Sequence, residues 1–394
     1  MHQSNSVQTM NATSNPKRET MMQLFSMSVA GLLLFAIFTY LVDRGTIITK
    51  FTKEMNQDHR RSSEAIKYLR NNNVKQFVQM IEEDSNMIND DDNEIKFSWL
   101  MSFPNSGTSY TLKMATSISQ STMASNYGQE RTDEFGNSLL FGNKYPFGPF
   151  RGHENLPIPS GYMLTKTHCG SRCTSCHPSK YVETEWSFKQ KCLTGKRILT
   201  SGAGQTVTEL QAYDEKFIKK AVHLIRNPFD NIVSRFHLHW KHQKAKGDDS
   251  WILSHPKNAT GFQEWCKDSD KEYFEDEREL YYANIPNLDD IPCHAEFFRY
   301  TQWHNRAFQV IKKMDIPSLI LHYEDYDENF DETISKVASF LELKIVGDPS
   351  EYYRNNYGDY YNDKQRQFAI HMINLLSTKQ TWDSLKNRYG YSVL

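Results

Sequence analysis

From Phe97 onward this chain repeats one pattern four times: a short apolar run, a turn, then a segment with helical spacing. The runs are "FSWLMSF", "GYMLTKT", "KAVHLIR" and "PSLILHYED". That alternation predicts an α/β fold, a P-loop-like parallel sheet flanked by helices. Ligands of such sheets bind at the carboxyl ends of strands, so the residues just after each run carry the functional interest. The chain has 394 residues, enough for one large domain or two ordinary ones.

The helix after the third run is predicted in detail. Asn227 suits the N-cap and Pro228 the first helical position, with Phe229, Ile232, Val233, Phe236 and Trp240 on one apolar face. Ile334, Val337, Ala338 and Leu341 repeat the spacing after the fourth run, as do Phe368, Met372, Leu375 and Leu376 near the end. All are expected in the core. Two stretches fit the alternation poorly: Phe135 to Gly161, rich in Gly, Pro and aromatics, and the long acidic Asp248 to Arg299. Insertions of this kind on a rigid scaffold either shape a substrate pocket or form plain surface loop.

Ahead of the sheet, Thr20 to Val42 is a run of 23 residues without a charge. At about 1.5 Å per residue it spans a hydrocarbon layer of roughly 30 Å, so a transmembrane helix is expected there. The predicted organisation is a short cytosolic tail (1–19), a signal anchor (20–42), a polar stem (43–94) and a folded domain (95–394). The positive-inside rule would keep the domain cytosolic, because Arg44, Lys50, Lys53, Arg60 and Arg61 outnumber Lys17 and Arg18. The cysteines argue the other way. All six (Cys169, Cys173, Cys176, Cys192, Cys266 and Cys293) lie in the domain, as disulfides in an oxidising lumen would have them. The sequon Asn258-Ala259-Thr260 is usable only on that side. A lumenal domain is the expectation. In "CGSRCTSCH", three thiols and His177 also suggest zinc, but a well-separated second pair is missing and disulfides fit better.

A net charge of -2 argues against a general nucleic-acid binder. The partners are therefore sought in sites. In "SFPNSGTSY", the backbone amides from Ser106 to Ser109 open a helix and attract an anion, with Thr108 and Ser109 adding hydroxyls; an ordinary capped turn would read the same. The lysine of an ATP-hydrolysing GxxxxGK[ST] loop is missing. In "TKTH", Lys166 and His168 stand two apart on a strand and face one side. His168 could take a hydroxyl proton and Lys166 could neutralise a departing oxygen, or the histidine could simply cap the strand. Arg226 ends the third run, with Ser234 two helical turns on; the pair could hold a phosphate, or the arginine a carboxylate.

Together these segments resemble the sulfotransferases that use 3′-phosphoadenosine 5′-phosphosulfate. "SFPNSGTSY" is similar to that family's 5′-phosphosulfate loop, "TKTH" to its catalytic strand, "LIRNPFDNIVSRF" to its 3′-phosphate motif, and "LHYEDYDENFDETISKVASFLEL" to its later Tyr-Glu-Asp segment. The resemblance implies that Ser106, Gly107, Thr108 and Ser109 cradle the phosphosulfate and that Tyr110 lies where many members place a tryptophan beside the adenine. It implies too that Arg226 and Ser234 hold the 3′-phosphate, with His168 as base and Lys166 at the bridging oxygen. A hydroxyl acceptor, a glycan, is the expected partner, with the membrane reached through one helix and neither metal nor nucleic acid. Asn105 departs from the pattern, since soluble members have lysine there, and Arg354 is the only counterpart to their late Arg-Lys-Gly loop. Two other readings remain: a P-loop phosphotransferase, and an inactive anchored nucleotide binder.

Overall fold

The first apolar run forms β1 (Phe97–Ser102), in which every residue is buried. It occupies the middle of a sheet, and a central strand must be apolar on both faces. The structure is a computed structural model that describes residues 94–169, 184–202, 204–280, 284–353 and 357–392. The expected tail and anchor and nearly all of the stem lie outside the described residues, as do Cys173, Cys176, His177 and Arg354. Among the described residues no helix is long and apolar enough to cross a membrane.

After β1 come α1 (Thr108–Ser119), β2 (Ala124–Ser125), β3 (Phe150–Arg151) and β4 (Met163–Thr167). Then follow α2 (Glu185–Leu193), β5 (Thr194–Thr200), β6 (Thr206–Ala212), β7 (Ile218–Ile225) and α3 (Pro228–Lys246). The chain continues through α4 (Asp249–Ser254), α5 (Ala259–Leu280), α6 (His294–Met314) and β8 (Ser318–His322). It ends with α7 (Asp325–Glu328), α8 (Phe330–Leu341), α9 (Asp363–Leu376) and α10 (Lys379–Tyr389).

The main sheet runs β3-β2-β4-β1-β7-β8. The four predicted runs are its four contiguous strands β4, β1, β7 and β8, all parallel, with Leu100 opposite Lys166 on one side and Val222 on the other. Only β3 pairs antiparallel, at the edge. Chain order reverses around β1, so the carboxyl ends of β1 and β7 flank a topological switch point. β5 and β6 form a separate antiparallel hairpin.

The predicted start of α3 is observed. Asn227 accepts a hydrogen bond from the Phe229 amide, and Pro228 takes the first turn. Ile232, Val233 and Phe236 are fully enclosed, each contributing about 1.5–3 kcal/mol of burial. In α9 the predicted face is rotated: Ala369, Met372 and Ile373 point inward, whereas Leu375 is half exposed. The stretch Asp248 to Arg299 is mainly helical rather than loop. Phe262, Cys266 and Tyr273 give α5 one buried stripe beneath its acidic surface, and Cys266 is disulfide-bonded to Cys293 at the start of α6.

Candidate functional site

The turn after β1 is set by local backbone chemistry. Asn105 and Gly107 both adopt left-handed φ values, 67° and 95°. At Gly107 a Cβ would stand 2.1 Å from a ring carbon of Tyr323, so glycine is required twice over. No side chain caps α1, which leaves its first turn available to an anion. Thr108 Oγ1 lies 2.5 Å from Ser102 Oγ, while Ser109 is exposed beside it.

Helix α3 clasps this turn. Asn231 Nδ2 donates to the Pro104 carbonyl at 2.9 Å and to Ser106 Oγ at 3.0 Å. The Ser106 hydroxyl is thus turned inward, and its backbone amide donates to the Phe103 carbonyl at 3.2 Å, so the amides that face a ligand begin at Gly107. Asn105 Nδ2 reaches the Ser234 carbonyl at 3.4 Å, and Arg226 Nη1 donates to the Asn105 carbonyl at 2.8 Å. Arg226 is nearly buried, with Tyr323 and Tyr357 rings 4.9 and 5.7 Å away. Its Nε is buried without a hydrogen-bond partner. An orphaned cationic donor beside an uncapped helix suits an anionic group. The end of β8 supports the same corner, since Glu324 accepts from the Asn227 amide at 2.9 Å and from Tyr389 Oη at 2.7 Å. Burial raises its carboxyl pKa against those two hydrogen bonds.

His168 stands just beyond β4, held on three sides. Its amide donates to Tyr127 Oη at 3.0 Å, its carbonyl accepts from Trp303 Nε1 at 2.9 Å, and Nδ1 lies 2.9 Å from the Ser102 carbonyl. A carbonyl can only accept, so Nδ1 carries the proton and Nε2 the lone pair of the neutral ring. The next residue, Cys169, is disulfide-bonded to Cys192 at the end of α2. This pins the histidine's backbone from the far side.

Lys166 and His168 do face one side, and both pack against Tyr127, the ammonium 5.7 Å from its ring and the imidazole stacked at 5.8 Å. Lys166 is also paired with Glu130, whose other oxygen accepts from Ser125 Oγ at 2.7 Å. Nothing in the sequence flags Glu130, which sits in a short turn after β2. A lysine so paired offers a reduced charge to a departing oxygen.

Tyr110 belongs to a ring cluster with Tyr326 and Tyr352, at 5.0 and 5.2 Å, and its hydroxyl donates to the Ser350 carbonyl at 2.9 Å. Burial, with the nearby Tyr323, pushes its pKa up to about 12. Tyr323 closes the cluster toward Gly107.

On the opposite side of the turn opens a cleft of about 580 Å³. Pro104 and Asn105 form part of its lining, with residues of α3, α4, α5 and α6. Two indoles line it, and Trp251 is sandwiched between His239 and His255 at 4.9 and 4.2 Å. Among the described residues, no group of three His, Cys, Asp or Glu side chains is placed to hold a metal ion.

A mostly parallel, helix-flanked sheet whose polar side chains gather at the carboxyl ends of three adjacent strands defines an α/β protein of P-loop-like architecture. The sequence profile described as the sulfotransferase domain matches residues 96–388. The chain therefore belongs to the sulfotransferase family. No curated protein matches it.

Proposed function

We propose that this chain is a membrane-anchored sulfotransferase that moves the sulfuryl group of 3′-phosphoadenosine 5′-phosphosulfate to a hydroxyl of a glycan in the Golgi lumen. The observation that carries this reading is the meeting of three strand tips through two contacts. One joins His168 Nδ1 to the Ser102 carbonyl and the other joins Arg226 Nη1 to the Asn105 carbonyl. One doubly phosphorylated adenosine can then touch the turn amides of Gly107 to Ser109 with its 5′ end and Arg226 with Ser234 through its 3′-phosphate. Tyr110 would flank the adenine.

In the reaction, the acceptor hydroxyl loses its proton to His168 Nε2 as its oxygen bonds to sulfur. The bond from sulfur to the bridging oxygen breaks in line, and its electron pair leaves with adenosine 3′,5′-bisphosphate. A glycan suits the cleft because Asp268 and Glu272 at its wall accept sugar hydroxyls, with the Trp265 indole beside them. The lumenal setting is supported by the Cys169–Cys192 and Cys266–Cys293 bonds and by the exposure of Asn258 in its sequon.

The test uses the full chain in detergent: calorimetric titration with adenosine 3′,5′-bisphosphate, then labelled donor with oligosaccharides, tyrosine peptides and small alcohols. Binding with transfer to oligosaccharides is expected. Binding without any transfer would favour the inactive binder, and no binding at all would overturn the reading.

A further inference from the structure

Glu130 stands at the site but has no part in the reaction written above. Among the described residues it is the one carboxylate paired with Lys166, through Oε1, while its Oε2 accepts from Ser125 Oγ at 2.7 Å. The sheet builds both contacts. Ser125 on β2 lies opposite Lys166 on β4, and its hydroxyl also accepts from the Tyr127 amide at 3.0 Å. The turn that carries Glu130 is fixed from two sides. Toward β4, the Asn126 amide donates to the Lys166 carbonyl at 3.0 Å and its side chain reaches Thr167 Oγ1 at 3.2 Å. Toward β5, the Lys196 amide donates to the Asn126 carbonyl at 2.8 Å, and a Cβ on Gly128 would stand 2.8 Å from the Lys196 carbonyl. Lys196 also approaches the Tyr127 ring, at 5.4 Å, but the carboxylate turns to Lys166.

The Lys166 side chain is 8% exposed and that of Glu130 30%, so the carboxylate is the outer member of the pair. A buried ammonium without a counter-charge is costly, and Glu130 removes that cost. The pairing also acts on any anion that Lys166 meets. An ammonium has several N–H donors, so Lys166 can keep Glu130 and still donate to a phosphate oxygen, with its field partly cancelled. The charge on that oxygen changes during the reaction. While it bridges phosphorus and sulfur it carries little charge. Once the sulfur–oxygen bond has broken, the electron pair stays behind and the 5′-phosphate is more negative than before. A lysine without a counter-charge would therefore hold the product more tightly than the donor.

We infer that Glu130 is the counter-charge that limits how tightly Lys166 holds the outgoing bisphosphate, and so sets how fast the bisphosphate leaves. This rests on the sulfotransferase reading above. Glu130 is a positioning residue: it acts through Lys166 and exchanges no proton.

The experiment measures adenosine 3′,5′-bisphosphate on the full chain in detergent, by calorimetry for affinity and by displacement of labelled nucleotide for the dissociation rate. It compares wild type, Glu130→Gln, Lys166→Ala and the double variant. Glutamine keeps an acceptor for Lys166 and a hydrogen bond with Ser125 but drops the charge. Glu130→Gln should bind the bisphosphate about tenfold tighter, with the gain in slower dissociation. In the Lys166→Ala background, where Arg226 and the turn still hold the nucleotide, the same change should alter affinity by no more than about twofold. Unchanged or weaker binding by Glu130→Gln, with its thermal unfolding like that of wild type, would overturn the inference. So would an equal gain in the absence of Lys166. A wild-type chain that does not bind the bisphosphate would instead overturn the sulfotransferase reading, and this inference with it.

Discussion

His168 Nδ1 lies 2.9 Å from the carbonyl oxygen of Ser102, the last residue of β1. This single contact sets the tautomer of the imidazole and binds the second strand tip to the first. A histidine kept in this way needs no carboxylate partner to orient it.

Replacing His168 with Ala should cut sulfuryl transfer by about 10²–10⁴, the usual contribution of a positioned general base. Affinity for adenosine 3′,5′-bisphosphate should stay within about twofold, because the turn and Arg226 remain. Calorimetry alongside a labelled transfer assay checks both halves. Activity equal to wild type would remove His168 from the role of base.

Arg226→Ala should weaken adenosine 3′,5′-bisphosphate by about 1.5–3 kcal/mol, the worth of hydrogen bonds to a charged group. Adenosine 5′-phosphosulfate, which has no 3′-phosphate, should lose far less. Competition binding with the two nucleotides gives the comparison. Equal losses would mean that Arg226 serves only to hold the Asn105 carbonyl.

Gly107→Ala forces a side chain into left-handed backbone and into the ring of Tyr323. The backbone strain alone costs about 1–3 kcal/mol. Thermal unfolding should show a clear loss of stability. Adding Tyr323→Ala should recover only the steric part, leaving the backbone strain, and full recovery would show that the φ angle is harmless.

The domain should also lose stability in mild acid. His223 and His304 are enclosed, with Nε2 and Nδ1 2.8 Å apart. Burial pushes His223 down to about 3, His304 well below the ordinary histidine value and His322 to about 4. The folded chain keeps these rings neutral, whereas the unfolded chain protonates them near pH 6.5. Stability is thus whole above that pH and falls as the pH drops toward about 4. Each ring adds a slope of about 1.4 kcal/mol per pH unit within that window. Urea unfolding at a series of pH values measures it, and His223→Gln should reduce the slope by one proton. A flat profile between pH 6.5 and 4.5 would contradict the burial of neutral rings.

The parts of this fold that could be read from sequence are those whose signal is local. β1, β4, β7 and β8 are apolar runs, and Asn227-Pro228 writes the start of α3 in two residues. β5 and β6 were invisible because β6 is exposed along most of its length and carries no pattern of burial. Leu375 misled because helical spacing fixes a face only to within a residue or so, and Ile373 took the inward place. At the site, the turn, "TKTH" and Arg226 could be named from their position after each run. Glu130, Tyr127 and Trp303 could not, since each matters only through a neighbour far away in the chain. The helical character of α5 was masked by its acidic surface, although Phe262, Cys266 and Tyr273 kept an inward stripe.

The clasp between α3 and the turn has a further consequence. Asn231 grips the turn at Pro104 and Ser106, while Arg226 and Ser234 bracket the same helix from its entry to its second turn. Both ends of a nucleotide lying there would rest on one stiff lever. The chain could not loosen its hold on the outgoing bisphosphate at one end alone, so release would proceed as a single event rather than by peeling.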